Sequence, residues 1–180
     1  MNELKKAKQL NIQNCYIIEP ISIDKYFDTR GSFIEIYNKN FYDNLFQNNC
    51  LKEINISTSR QYVFRGLHCD DSTNKLIQCI SGAIKIYLFD ILTNQKYSTE
   101  ISEYNSKQIF IAPKIFLGYE CLTEHCKLLY CLSENYKGSE NQYTMSAENI
   151  FNLKYSNLIL SQRDQNAKRF EINDNIEKFK

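Results

Sequence analysis

The sequence predicts an all-β jelly roll, a barrel or two-sheet sandwich carrying a few short peripheral helices. Short segments alternate apolar and polar residues with the period-two rhythm of strands, and turn residues interrupt them at close intervals. Helical spacing shows clearly in only one short segment. The chain has 180 residues, which suits a single domain over 1–180 with its core at about 15–165. That length buries enough surface to fold without disulfide or metal staples.

Taken in order, residues 1–14 are polar and predict a frayed helix or a tail. "SFIEIYN", from Ser32, alternates as a strand, with Phe33, Glu35 and Tyr37 on one face and Ile34 and Ile36 on the other. "FYDNLFQNN", Phe41 to Asn49, spaces its apolar residues as one turn-and-a-half of helix does. "EINISTS" from Glu53 alternates again, and "KLIQCISG" leads through a Ser-Gly turn into "AIKIYLFDI". In that last strand Ile84, Ile86 and Leu88 share one face. "QIFIAP" stops at Pro113, "GYECL" follows, and "KLLYCLS" runs into a polar turn. From Glu148 onward the mixed pattern predicts helices or irregular structure packed on the barrel.

Composition narrows the function. Hydrophobic residues make up 43% and charged residues 24%, with a net charge of +1. No large basic field is available for nucleic acid or a membrane surface, although a local basic pocket is compatible with it. The first residues carry no apolar signal core, and no apolar run is long enough to span a bilayer. Seven cysteines are an odd number for a disulfide framework, so the expectation is a cytoplasmic protein with reduced thiols.

The candidate chemistry gathers in "VFRGLHCDDSTNKL". A barrel metal site needs several converging imidazoles and carboxylates, and the chain has two histidines, His68 and His125, far apart. Cys121, Cys126 and Cys131 are spaced by five, an odd number that alternates faces on a strand, so no metal is predicted. Cys69, next to His68, reads as a small buried hydrophobe. His68 itself is different because of its company. Arg65 precedes it by three residues and suits bidentate phosphate recognition, while Lys75 follows by seven and suits a developing enolate oxygen. A base, an anion clamp and an oxyanion stabiliser in one segment suggest proton abstraction next to a carbonyl.

"FDTRGSFIEIYN", "NISTSRQYVFRGLHCD", "KLIQCISGAIKIYLFDI" and "KLLYCLSENY" resemble successive motifs of the dTDP-4-dehydrorhamnose 3,5-epimerases. The resemblance runs from about Asp28 to Asp164. It implies a cupin jelly roll that forms a homodimer by strand exchange. It also implies a nucleotide-linked 4-keto-6-deoxy sugar as substrate and a reaction without cofactor or metal. By resemblance His68 is the catalytic base and Asp164, in "LSQRDQNA", its hydrogen-bonding partner. Tyr130 supplies a proton from the opposite face of the sugar, and Lys75 lies near the C4 carbonyl oxygen. Arg65 and Arg30 surround the diphosphate, Arg30 reaching in from the partner subunit. Glu35 and Asn55 line the site, and Glu53 stands where the family usually has glutamine.

Two positions depart from the family pattern. In "IAPKIFLGYE" Leu117 replaces a second histidine, and Ile86 replaces a strand aspartate. Both bear on which sugar is bound and whether C3, C5 or both are inverted. Relatives of the family act on GDP-linked 4-keto-heptoses in capsule synthesis, and divergence at these positions favours that substrate, with dTDP-4-keto-6-deoxyglucose next. A 3,4-ketoisomerase of related fold is the alternative enzyme, although the chain lacks its "H-x-H" segment. A barrel that binds sugar nucleotides without turnover is the alternative without catalysis.

Overall fold

The computed structural model describes residues 5–20, 27–46 and 51–171. Two antiparallel sheets face each other. The first runs in the order β1 (Lys5–Gln9), β2 (Tyr16–Pro20), β10 (Gln108–Ile111), β7 (Lys75–Ser81), β12 (His125–Leu132), β5 (Glu53–Arg60). The second runs β13 (Tyr143–Thr144), β6 (Phe64–Cys69), β11 (Phe116–Cys121), β8 (Ala83–Asp90), β9 (Gln95–Ser102). From β5 onward the chain crosses repeatedly between the sheets, which is the connectivity of a jelly roll. The all-β expectation is met. Among the described residues no helix is long and apolar enough to cross a membrane.

Alternation places the core. Ile77 and Cys79 of β7, Ile84, Ile86 and Leu88 of β8, and Ile109 and Ile111 of β10 meet between the sheets. A second cluster, with Phe64, Tyr87, Phe89 and Phe116, covers the outside of the five-stranded sheet. The C-terminal part packs onto it through α2 (Glu148–Phe151) and Met145. A third cluster lies outside the six-stranded sheet, where Tyr42 and Phe46 sit on Ile18, Leu76 and Phe110. Burial on the outer faces as well leaves β7, β8 and β10 buried along most of their length, whereas the edge strands β5 and β9 stay largely exposed.

Three elements differ from expectation. The polar N-terminus is an edge strand rather than a helix or tail: Lys5–Gln9 pairs with Tyr16–Pro20. The turn between them is anchored by the fully buried Ile12 and Cys15, and an edge strand tolerates the lysines that hid it. "SFIEIYN" contributes only Ser32 to a small hairpin of β3 (Phe27–Asp28) and β4 (Gly31–Ser32). No strand is assigned over residues 33–38 among the described residues, and Phe33 is 71% exposed. The helix expected over 41–49 is α1 (Lys39–Tyr42), N-capped by the Asn38 side chain; residues 47–50 lie outside the described residues. Strands β2, β9 and β13 were not legible beforehand, and β9 is a largely polar edge that pairs along the whole of β8.

Candidate active site

A cavity of about 720 Å³ opens between the sheets. Its walls bring together six of the sequence-predicted residues: His68, Tyr130, Asp164, Lys75, Asn55 and Arg65. The size suits a small-molecule ligand.

A bulge aims the first wall. Across the β6–β11 ladder His68 pairs with Leu117 and Arg65 with Tyr119, so one extra residue sits on β6. Residues three apart on a regular strand face opposite ways; the bulge restores the parity, and both Arg65 and His68 line the cavity. Two glycines make this possible. A Cβ on Gly66, at φ +130°, would lie 2.5 Å from the Gly118 Cα. Leu67 and Cys69 turn the other way and are fully buried. Burial pushes the Cys69 thiol up to about 12, against the lowering effect of Lys75, so it is a packed thiol and no nucleophile.

The His68 Nε2 is 2.6 Å from Asp164 Oδ1. Asp164 is 2% exposed and belongs to α3 (Gln162–Gln165), whose cap, Ser161, accepts a hydrogen bond from the Asp164 N–H. Asp164 is thus no cap itself; the cap holds its backbone in place. Burial alone would raise the Asp164 carboxyl, but the hydrogen bond and charge of His68, with Ser161 and the Gly66 N–H, hold it below the ordinary range. An ionised Asp164 only accepts, so Nε2 keeps its proton and donates it in this hydrogen bond, which leaves Nδ1 as the lone-pair nitrogen.

The opposite wall is the six-stranded sheet. Tyr130 pairs with Asn55 on one side and Ile77 on the other, and Leu132 pairs with Lys75. Base and phenol therefore stand on different sheets, on either side of the cavity. Burial, reinforced by Tyr119, raises the Tyr130 phenol well above the usual tyrosine range, so it keeps its proton at neutral pH. Lys75 is held by Asp70 Oδ2 at 2.6 Å and donates to the Thr73 carbonyl at 3.3 Å. An ammonium has three donors, so one remains for the cavity. Burial opposes the charge on Asp70, but Lys75 and Thr73 overcome it and keep that carboxyl low.

The remaining predicted residues stand apart from the cavity. Glu53 is not part of its lining; its carboxylate accepts from Asn55 Nδ2 at 2.5 Å and from the Tyr136 N–H at 2.7 Å, tying the Tyr136 turn to β5. Arg30 is exposed and paired with Asp28 in the β3–β4 hairpin. Glu35 accepts from Asn38 on the outer side of the six-stranded sheet. Sequence reasoning missed Tyr136, Gln142 and Arg163, which line the cavity mouth. Arg163 donates to Thr144 Oγ1 at 2.6 Å and to the Gln142 carbonyl at 3.1 Å, and its place beside Asp164 in "SQRD" was the only signal.

Leu117 lines the cavity opposite His68, whereas Ile86 is buried in the core behind it, across the ladder from Tyr119. Both departures from the family pattern thus face the space between the sheets, Leu117 in the cavity wall and Ile86 in the adjoining apolar core. His125 starts β12, is exposed, and faces Glu124 at 3.7 Å, away from the cavity lining. Cys126 and Cys131 fall on opposite faces of β12, in different clusters, as their odd spacing predicts. Cys121, from another strand, joins Cys126 in the same core cluster, and no group of three metal-ligating side chains forms among the described residues.

Known proteins share this fold. The model of the dTDP-4-dehydrorhamnose 3,5-epimerase family matches residues 9–171. The chain belongs to that family. It is accordingly an isomerase of the epimerase type. A dTDP-4-dehydrorhamnose 3,5-epimerase of Salmonella typhimurium is 30% identical over 138 residues, 71% of this chain and 73% of that protein. The crystal structure of the Elizabethkingia anophelis epimerase superposes with a TM-score of 0.80 at 27% identity, covering 96% of this chain and all of that one. The Legionella pneumophila enzyme, solved with dTDP-4-keto-L-rhamnose, shares the fold with a TM-score of 0.83 at 22% identity, over 97% and 96% of the two chains.

Proposed function

We propose that this epimerase inverts C3, C5 or both in a nucleoside diphosphate-linked 4-keto-6-deoxy sugar, without cofactor or metal. The observation that carries the reading is one cavity with an Asp164-held imidazole on one sheet and a protonated phenol on the other. The 4-ketone acidifies its neighbouring C–H bonds. His68 Nδ1 takes the proton, Asp164 stabilises the imidazolium, and the spare Lys75 donor meets the enolate oxygen. Tyr130 returns a proton from the other face, which inverts the carbon. Arg65 binds diphosphate, helped by Arg163 at the mouth, and Asn55 contacts the sugar nucleotide. The Tyr136 ring, 55% exposed beside the cavity, offers an apolar platform for the base.

The nucleotide follows from relatives and wall together. The Salmonella protein is named for a dTDP sugar, which favours dTDP. Leu117, apolar beside His68, keeps a GDP-linked 4-keto-heptose of capsule synthesis as the second substrate to test. We further read the protein as a cytoplasmic homodimer of one catalytic domain per chain. β5 is a sheet edge carrying Ile54 and Ile56, each 60% exposed. Strand exchange onto that edge covers these side chains and carries Arg30 and Glu35 to the partner's cavity. The six described cysteines are free thiols, which suits a reducing compartment.

The test is solvent exchange. In D₂O, dTDP- and GDP-linked 4-keto sugars are expected to gain deuterium at each inverted carbon, read by NMR and mass. A ketoisomerase would instead move the carbonyl to C3. A binder would saturate without exchange, and either result would replace this reading.

A further inference from the structure

Arg65 lines the cavity from β6, and its guanidinium is tied to the protein along one edge. Nε donates to Ser59 Oγ at 3.1 Å and Nη2 to the Thr58 carbonyl at 3.2 Å. Both acceptors belong to β5, on the opposite sheet. Nε and the Nη2 proton beside it form the side edge of the guanidinium fork, so that edge is taken. The end edge, made by Nη1 and the other Nη2 proton, meets no acceptor among the described residues.

Ser59 is the buried member of this tie, 3% exposed. A guanidinium only donates, so Ser59 Oγ accepts from Arg65 and must place its own proton elsewhere. The acceptor is Tyr119 Oη, 2.9 Å away. Tyr119 in turn gives its proton to Ser57 Oγ at 3.0 Å. Tyr119 is buried in the apolar core between the sheets, where a hydroxyl costs free energy unless it has partners. It also pairs with Arg65 across the β6–β11 ladder. One residue thus holds the Arg65 backbone through its strand, and holds through its hydroxyl the serine that holds the Arg65 side chain.

We infer that Ser59, backed by Tyr119, is a positioning residue for Arg65 that leaves the end edge of the guanidinium free to take two oxygens of a nucleoside diphosphate. The inference rests on the reading of Arg65 as the diphosphate clamp. An arginine side chain has several rotatable bonds, and freezing them on binding costs affinity. Ser59 and Thr58 impose part of that order in the folded protein, which lowers the cost of binding. The free edge presents two parallel N–H donors, the geometry that grips phosphate oxygens bidentately. The effect falls on binding, because His68 and Tyr130, not Arg65, carry the proposed proton transfers.

Calorimetric titration with dTDP and with GDP tests this without turnover. Ser59→Ala is expected to weaken roughly tenfold whichever nucleotide the wild type binds. KM for the 4-keto substrate should rise in step, with kcat within about twofold of wild type. Tyr119→Phe keeps the ring, deprives Ser59 of its acceptor, and should weaken binding in the same direction. The double-mutant cycle separates positioning from packing. In the Arg65→Ala background Ser59→Ala should change affinity by less than about twofold, because a serine that acts through Arg65 has nothing left to act on. No loss in Ser59→Ala, or an equal loss in both backgrounds, overturns the positioning role. Should Ser59→Ala fail to fold, the same cycle with Tyr119→Phe decides. Wild type that binds neither nucleotide, or Arg65→Ala with wild-type affinity, overturns the clamp and this inference together. Solvent exchange keeps the larger reading apart: wild type that binds nucleotide through Arg65 yet neither exchanges nor inverts any 4-keto sugar overturns the epimerase and leaves the positioning role standing.

Discussion

His68 and Asp164 lie 96 positions apart, yet their 2.6 Å contact orients the imidazole that the proposed mechanism uses as base. On the proposed mechanism His68→Asn removes the base while keeping a planar polar group, so turnover should fall by roughly 10²–10⁴-fold with the circular dichroism spectrum unchanged. Asp164→Asn should lower turnover as well, because a neutral amide neither stabilises an imidazolium nor selects the tautomer. The same carboxyl links folding to pH. Its folded pKa is depressed, as is that of Asp70, so each contributes stability that is present above the unfolded value of about 4 and lost as pH falls through the folded value. Melting temperature is therefore expected to drop on acidification below about pH 4, and less steeply in Asp164→Asn. An identical acid dependence in that variant would remove Asp164 from the account.

At the level of elements, the β6–β11 bulge decides which side chains reach the cavity. It depends on backbone contact that no side chain fits. An alanine at position 66 would put its Cβ 2.5 Å from the Gly118 Cα and 2.7 Å from the Leu117 carbonyl, in a left-handed conformation. Gly66→Ala is expected to cost about 3 kcal/mol of stability, and activity should fall further than stability explains because Arg65 and His68 lose their common aim. Urea denaturation and kcat on the folded fraction check both halves. Gly118→Ala should be milder, since its Cβ would meet Leu67, Phe64 and the Arg65 carbonyl at 3.0–3.1 Å, and two of those contacts are side chains.

At the scale of the molecule, the chain leaves an apolar sheet edge, β5, on its surface. Exposed edges invite pairing, and here the expected partner is a second copy. Sedimentation should give twice the chain mass, and Ile56→Glu should shift it toward the monomer with loss of activity. Complementation is the sharper test. Mixed dimers of Arg30→Ala and His68→Asn hold one cavity with both residues intact, so activity should recover to roughly a quarter of wild type if Arg30 acts across the interface. No recovery would confine each cavity to its own chain.

The sequence by itself determined the class of fold and most of the chemistry, because period-two patterning and residue type are local properties. The face shared by Ile84, Ile86 and Leu88 could be read directly, and so could the grouping of Arg65, His68 and Lys75. Asp164 and Tyr130 stood out by family resemblance, since a lone aspartate near a chain end and one tyrosine among thirteen carry no local signal. Polar edge strands such as β1 and β9 escaped notice because their stability comes from neighbours rather than from their own pattern. Only the tertiary structure decided that residues three apart on β6 share a face and that His68 and Tyr130 stand on opposite sheets. These are relations between strands distant in sequence. They are set by backbone approach at Gly66 and Gly118 and by hydrogen bonds across the barrel, which no window of sequence contains.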